Sequence, residues 1–390
     1  SWSAGTEPEL ALKKTNIDTL SPLQLLVALE VTMRKGWDEG DWEPATNLLD
    51  QIDSYQREVA NEIMPSVGTI EMEISYNKQR TLDRLYRYYF MFGILILLVE
   101  ILFIVFSLKN ARVHRWFKLL ATIIVSALAA WHMYALGARW YISGHAPWSD
   151  AYESMIYVAW ATMGIGLLFA RKSDLTLAST SFVTSMILMI AHWNWMDPSI
   201  ANLVPVLDSY WLMIHVSVIV GSYGPFTLAM ILGIVALILM ILATKSNSSI
   251  IKNKLAEITI INELAITIGL IMLTIGNFLG GMWANESWGR YWGWDPKETW
   301  ALISILIYAF VLHMRLIPKM RGQWLFNLMS IIAFASIVMT YFGVNFYLVG
   351  LHSYASGDKV ITPNFVYYSI LFVFVLGLIS KFKYNKFLVK

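Results

Sequence analysis

A chain of 390 residues that is 57% hydrophobic and only 14% charged, with mean hydropathy +0.55, carries more apolar side chain than a water-soluble core can enclose. Its net charge of +2 gives no bulk attraction to nucleic acid. The absence of cysteine removes disulfides, thiolate metal sites and a cysteine nucleophile.

The expected fold class is all-α: a polytopic membrane helix bundle of about nine spans, preceded by a small, mostly helical soluble segment. That segment, 1–87, has more Asp and Glu than Lys and Arg, and carries amphipathic patches such as "LQLLVALEVTMRKGW" and "ATNLLDQIDSYQREVANEIM". Ser21-Pro22 predicts the first helix start, Ser as cap and Pro at the opening position. The chain begins at Ser1 with no basic-then-apolar leader, so it reads as the C-terminal part of something longer. A linking span is expected over 88–116, and a single membrane domain over 117–390.

Apolar runs place spans near 88–108, 117–137, 152–170, 175–195, 211–243, 259–282, 299–317, 325–349 and 364–380. The fifth is too long for one simple crossing, so its outer end should project beyond the bilayer or lie along it. Basic residues separate by side. Lys109, Arg112, Arg115, Lys118, Arg171, Lys172, Lys245, Lys252, Lys254, Arg315, Lys319, Arg321, Lys381, Lys383 and Lys386 fall at one set of ends, whereas Arg139, Arg290, Lys297 and Lys359 fall at the other. The rich side is predicted to be cytoplasmic, which puts segment 1–87 and the loop at 283–300 on the outward face together.

That loop begins "WANESWGRYWGWDPKETW". Trp283, Trp288, Trp292, Trp294 and Trp300 crowd one short segment, whereas tryptophans of an interfacial belt sit singly at helix ends. Gly289 and Gly293 would let the backbone approach a ligand, and Asp295-Pro296 followed by Glu298 reads as a helix start. Indoles with a few carboxylates suit a large planar apolar ligand with a polar edge, and haem is the obvious candidate.

"WGRYWGWDPKE", Trp288 to Glu298, resembles the tryptophan-rich (WWD) signature of the haem-handling proteins of cytochrome c biogenesis. Among these it most resembles the CcsA half of the fused CcsB–CcsA (system II) cytochrome c synthases. The resemblance covers about 120–390 and includes "APWSDAYESM", Ala146 to Met155. It implies a multi-pass protein of the bacterial inner (plasma) membrane that exports or receives haem b (iron protoporphyrin IX) at the outer face. There, as a cytochrome c haem lyase, it would join the haem vinyl groups to the two thiols of a Cys-x-x-Cys-His motif in apocytochrome c. Residues 1–87 would be the end of a CcsB-like part, whose remainder would be a partner. The thiols belong to the substrate, which agrees with a cysteine-free chain.

Of seven histidines, His215 near the outer start of the fifth span and His352 beyond the outer end of the eighth share the loop's face and flank it in sequence. Neutral imidazole is a common axial ligand, so this pair is expected to hold haem iron, with Trp283, Trp288, Trp292, Trp294, Asp295 and Glu298 around the porphyrin. The family pattern supports two such histidines. His313 lies within a span near its basic end, where an ionisable residue is functional by default. By resemblance it matches an intramembrane haem ligand paired with a CcsB histidine. His132, His145 and His192 are expected to be interface or packing residues, and His114 part of a basic loop. A haem exporter or chaperone that makes no thioether bond remains open, as does a haem-bearing respiratory subunit, although that class normally places its histidines inside the spans.

Overall fold

The computed structural model describes residues 22–60, 62–106, 111–192, 197–200, 210–350 and 362–389. Its contacts divide the chain after Glu71 into two compact units. In the first, α1 (Pro22–Glu39) and α2 (Glu43–Val59) close over a small core of Ala28 and Leu48, with Leu25, Leu29, Ile52 and Tyr55 around it. Pro22 opens α1 as expected, while Ser21 lies outside the described residues.

Helices α3 (Val67–Gln79) and α4 (Thr81–Val105) follow, joined through Arg80 in the left-handed region at φ 45°. The composition boundary expected at residue 87 falls inside α4, which runs unbroken from Thr81 because polar Arg84 and Arg87 do not interrupt its helical pattern. Next come α5 (Ala111–Ser143), α6 (Ala151–Phe169), α7 (Asp174–His192), α8 (Tyr210–Ile241), α9 (Ser248–Trp288) and α10 (Pro296–His313). A 3-10 turn (Met314–Leu316), α11 (Gln323–Val338), a π-helical turn (Met339–Gly343), α12 (Val344–Tyr347) and α13 (Asn364–Phe387) complete the order. Among the described residues there is no strand, and nine helical stretches are long and apolar enough to cross a membrane. This is an all-α, multi-pass bundle.

Helix α8 is its axis. It packs most extensively on α9 and also against α6, α11 and α13. Small residues permit the close approach: a Cβ on Gly224 would strike the backbone of Ala161 and Thr162. The 32 residues of α8 form one helix of about 48 Å, unbroken despite Pro225 and longer than a hydrocarbon core of about 30 Å. Helix α9, at 41 residues, reaches about 60 Å.

Where apolar burial cannot discriminate between helices, hydrogen bonds do. Asn262 of α9 donates to Asn327 Oδ1 and Ser330 Oγ of α11, each at 3.0 Å, and Asn327 donates to Thr259 Oγ1 at 2.9 Å. All four side chains are buried, and in hydrocarbon their alternative is an unmet polar group.

Candidate functional site

The tryptophan segment is a helix end, a tight loop and a helix start. Helix α9 carries Trp283 and Trp288 in its last turns and stops because Gly289 takes φ 68°, where its N–H closes on the Asn285 carbonyl at 2.9 Å. The expected outward loop at 283–300 is therefore shorter, with only the stretch between Gly289 and Asp295 non-helical. Tyr291 folds back over α9, donating to the Phe278 carbonyl at 2.7 Å, and its ring occupies the space a Cβ on Gly281 would need. Trp294 adopts φ 56° and is 71% exposed, its indole edge-on to Trp292 with centroids 5.9 Å apart.

The Asp-Pro-x-Glu start is a capping box. Asp295 Oδ2 accepts from the Lys297 N–H at 3.2 Å, while Glu298 Oε2 accepts from the N–H groups of Asp295 at 3.2 Å and Gly293 at 2.9 Å. Both carboxylates thus hold backbone and fix the turn that displays Trp292 and Trp294.

His215 stands in the second turn of α8, buried, at the end of the bundle where α9 finishes. Its Nδ1 lies 2.7 Å from the Trp211 carbonyl. A carbonyl can only accept, so Nδ1 carries a proton, and Nε2 is the ring nitrogen that could ligate a metal. The Trp283 indole stacks on the imidazole with centroids 5.2 Å apart and planes 25° from parallel, and Trp288 meets Trp283 edge-on at 4.7 Å. The structure therefore joins His215, Trp283 and Trp288 into one group.

His352 lies outside the described residues. Gly350, two residues before it, packs against Asp295 and Pro296, where a Cβ would collide with both. His313 is elsewhere, at the far end of α10 and about 26 Å from Pro296 along the helix. It is exposed and gives its Nδ1 proton to the Ala309 carbonyl at 2.7 Å, the arrangement seen at His215.

The other described histidines pack or pair. His132 is fully buried beside Tyr89, His145 caps its own loop through Ser149, and His192 sits 2.8 Å from Asp83. His114 lies in α5 and contacts the buried Glu100 carboxylate at 3.0 Å, a helical position where a loop was expected. An acid inside the apolar run "LLVEILFIV" was the signal for it.

Sequence reasoning also passed over a buried pair behind the site. Arg139 of α5 and Glu153 of α6 are each 1% exposed and 3.2 Å apart. The guanidinium also donates to the Pro198 and Ser199 carbonyls at 2.9 and 3.2 Å and lies over the Tyr152 ring. Glu153 Oε2 accepts from the Ser149 N–H at 3.1 Å. Arg139 thus ties the connection between α7 and α8 to the "APWSDAYESM" turn. In the same connection the Ser199 N–H, 2.9 Å from Asp197, holds that carboxyl below the usual carboxylate range. An arginine within "ALGARWYIS" was the available sign.

Residues 148–352 match the family model described as cytochrome C assembly protein. The chain is 47% identical over 313 residues to Protein NrfI of Wolinella succinogenes, an alignment covering 80% of this chain but 34% of that one. It thus spans about a third of the length of NrfI. It is 37% identical over 246 residues to cytochrome c biogenesis protein CcsA of Prochlorococcus marinus, covering 55% of this chain and 78% of that one. To the CcsA protein of Helianthus annuus it is 35% identical over 270 residues, covering 57% and 81%.

Proposed function

The chain belongs to the cytochrome c assembly protein family, and from that premise we propose that it is a holocytochrome c synthase which holds haem b at the tryptophan face of the bundle and promotes its attachment to apocytochrome c. The observation that carries the reading is His215. It is a buried imidazole fixed as the Nδ1–H tautomer by the Trp211 carbonyl and stacked on Trp283, beside the tryptophan turn. That donor suits iron in a porphyrin, and flat indoles suit the ring. His352 is the second axial ligand.

Haem supplies two vinyl groups and the apocytochrome supplies the two thiols of Cys-x-x-Cys-His. Each S–H adds across a vinyl, forming one C–S and one C–H bond with no net oxidation. No side chain of this protein is consumed, so its task is positioning. His215 and His352 hold the iron, the indoles of Trp283, Trp288, Trp292 and Trp294 hold the ring and exclude water, and the Asp295–Glu298 box fixes the turn. Orientation of this kind can supply about 7–11 kcal/mol of a barrier.

Basic-residue asymmetry supports an outward tryptophan face in a bacterial inner membrane, toward the periplasm. His313 is the ligand of a second, intramembrane haem position, completed by a CcsB-like part that would supply its opposite imidazole. Exposure of His313 on the same side of α10 as Leu306 and Phe310 supports that partner. Two positions, one in the membrane and one at the outer face, support haem export as part of the function.

The test uses full protein, with its CcsB-like part, co-expressed with an apocytochrome. Purified protein should show a low-spin, six-coordinate haem spectrum and yield thioether-linked cytochrome. His215→Gly and His352→Gly should each lose both, and added imidazole should partly restore both; His145→Gly is the control. Wild-type spectrum and product in both variants would overturn the ligand assignment. Haem bound and released without thioether bonds would make the protein a haem exporter or chaperone instead.

A further inference from the structure

Helix α9 carries adjacent glycines at 280 and 281, near the end where it meets His215. They face different neighbours. Gly281 makes room for Tyr291, whereas a methyl group on Gly280 would lie 3.3 Å from Cδ2 of His215, 3.9 Å from Cγ and 4.0 Å from Nε2. Optimal carbon–carbon contact is about 3.5–4.0 Å, so the imidazole would have to give by a few tenths of an ångström. Its freedom to give is small. Nδ1 is held at 2.7 Å by Trp211, and one ring face is covered by Trp283, three residues beyond Gly280 on the same side of α9.

We propose that Gly280 is a positioning residue for His215: by presenting bare backbone to the Cδ2 edge beside Nε2, it sets the angle at which the imidazole offers its lone pair to haem iron. The inference rests on the reading of His215 as an axial ligand. The Trp211 carbonyl chooses the tautomer, Trp283 the plane of the ring, and Gly280 the tilt within that plane. Helix propensity offers no competing reason for glycine here, since it is among the worst residues for a helix interior and alanine is the best. A side chain at 280 would therefore favour α9 while displacing the ligand, and the two effects have opposite signs.

Gly280→Ala, made in the full protein, separates them. Accumulation in the membrane and thermal stability should match or exceed wild type. Haem retention should fall roughly two- to three-fold, the lower end of what off-rotamer strain carries, because the imidazole moves by only a few tenths of an ångström. The low-spin electron paramagnetic resonance signal of the ferric protein should shift, because it reports ring orientation. The decisive arm places Gly280→Ala in His215→Gly protein supplied with imidazole. Free imidazole is tied neither to α8 nor to Trp211, so the added alanine should change neither retention nor signal. Equal loss in both backgrounds would overturn the proposal in favour of plain helix packing or space for the porphyrin. Loss of accumulation, or an unchanged signal in the single variant, would overturn it too. A wild-type spectrum in His215→Gly would instead strike the ligand assignment itself.

Discussion

Replacing Arg139 by Leu would remove a charge 1% exposed and leave the Glu153 carboxylate, equally buried, with the Ser149 N–H as its remaining close donor. His145 Nδ1, at 3.9 Å, is too distant to substitute for two guanidinium hydrogen bonds. The Pro198 and Ser199 carbonyls would lose their donor as well, although both residues are exposed and can turn to water. Breaking a buried pair from one side costs about 3–5 kcal/mol, chiefly as an uncompensated charge, and the lost stacking on Tyr152 adds about 1 kcal/mol. Arg139→Leu should therefore destabilise by roughly 4–6 kcal/mol, and Glu153→Leu by about 3–5 kcal/mol. The double variant has no stranded charge and should lose far less than the sum, giving a coupling of at least about 2 kcal/mol. Titration of purified protein in mild detergent with sodium dodecyl sulfate, followed by far-ultraviolet circular dichroism, measures the four proteins on one scale. A cost below about 1 kcal/mol for Arg139→Leu, or a double variant as poor as the two singles added together, would refute the reasoning.

Two further outcomes follow from the bundle and its loop. In a chain without cysteine, Lys359→Cys should be labelled by an impermeant thiol reagent in intact cells and Lys252→Cys should not; labelling at 252 would reverse the orientation. Trp292→Ala with Trp294→Ala should lower bound haem with little effect on membrane accumulation, because Trp292 is half-buried and Trp294 mostly exposed, in contact with each other; reduced accumulation with unchanged haem per folded molecule would return them to an interfacial belt.

Much of the architecture was legible because it depends on local pattern. Apolar runs of about 20 residues can only be spans, and nine were countable along the chain. Asp295-Pro296 with Glu298 announced a helix start because a capping box closes within four residues. Which side chains meet across helices is a different question, settled by register and by where a helix stops. The tryptophan cluster reads in sequence as one loop, yet Gly289 divides it: Trp283 and Trp288 stay on α9 beside His215, while Trp292 and Trp294 project beyond. Asp295 and Glu298, plausible as ligand-facing acids, direct oxygens to backbone N–H groups once the turn forms. Gly280 carries no pattern of its own, and Arg139 and Glu100 stand out only as charges in apolar runs, without naming their partners. A glycine in an apolar run, or a charge near its end, acquires meaning only from the helix laid against it. The sequence by itself determined where the apolar runs form helices among the described residues and the crowding of tryptophans at one helix end. Tertiary packing decided what surrounds His215, because the Trp283 stack and the bare Gly280 edge join residues tens of positions apart whose proximity no local periodicity encodes.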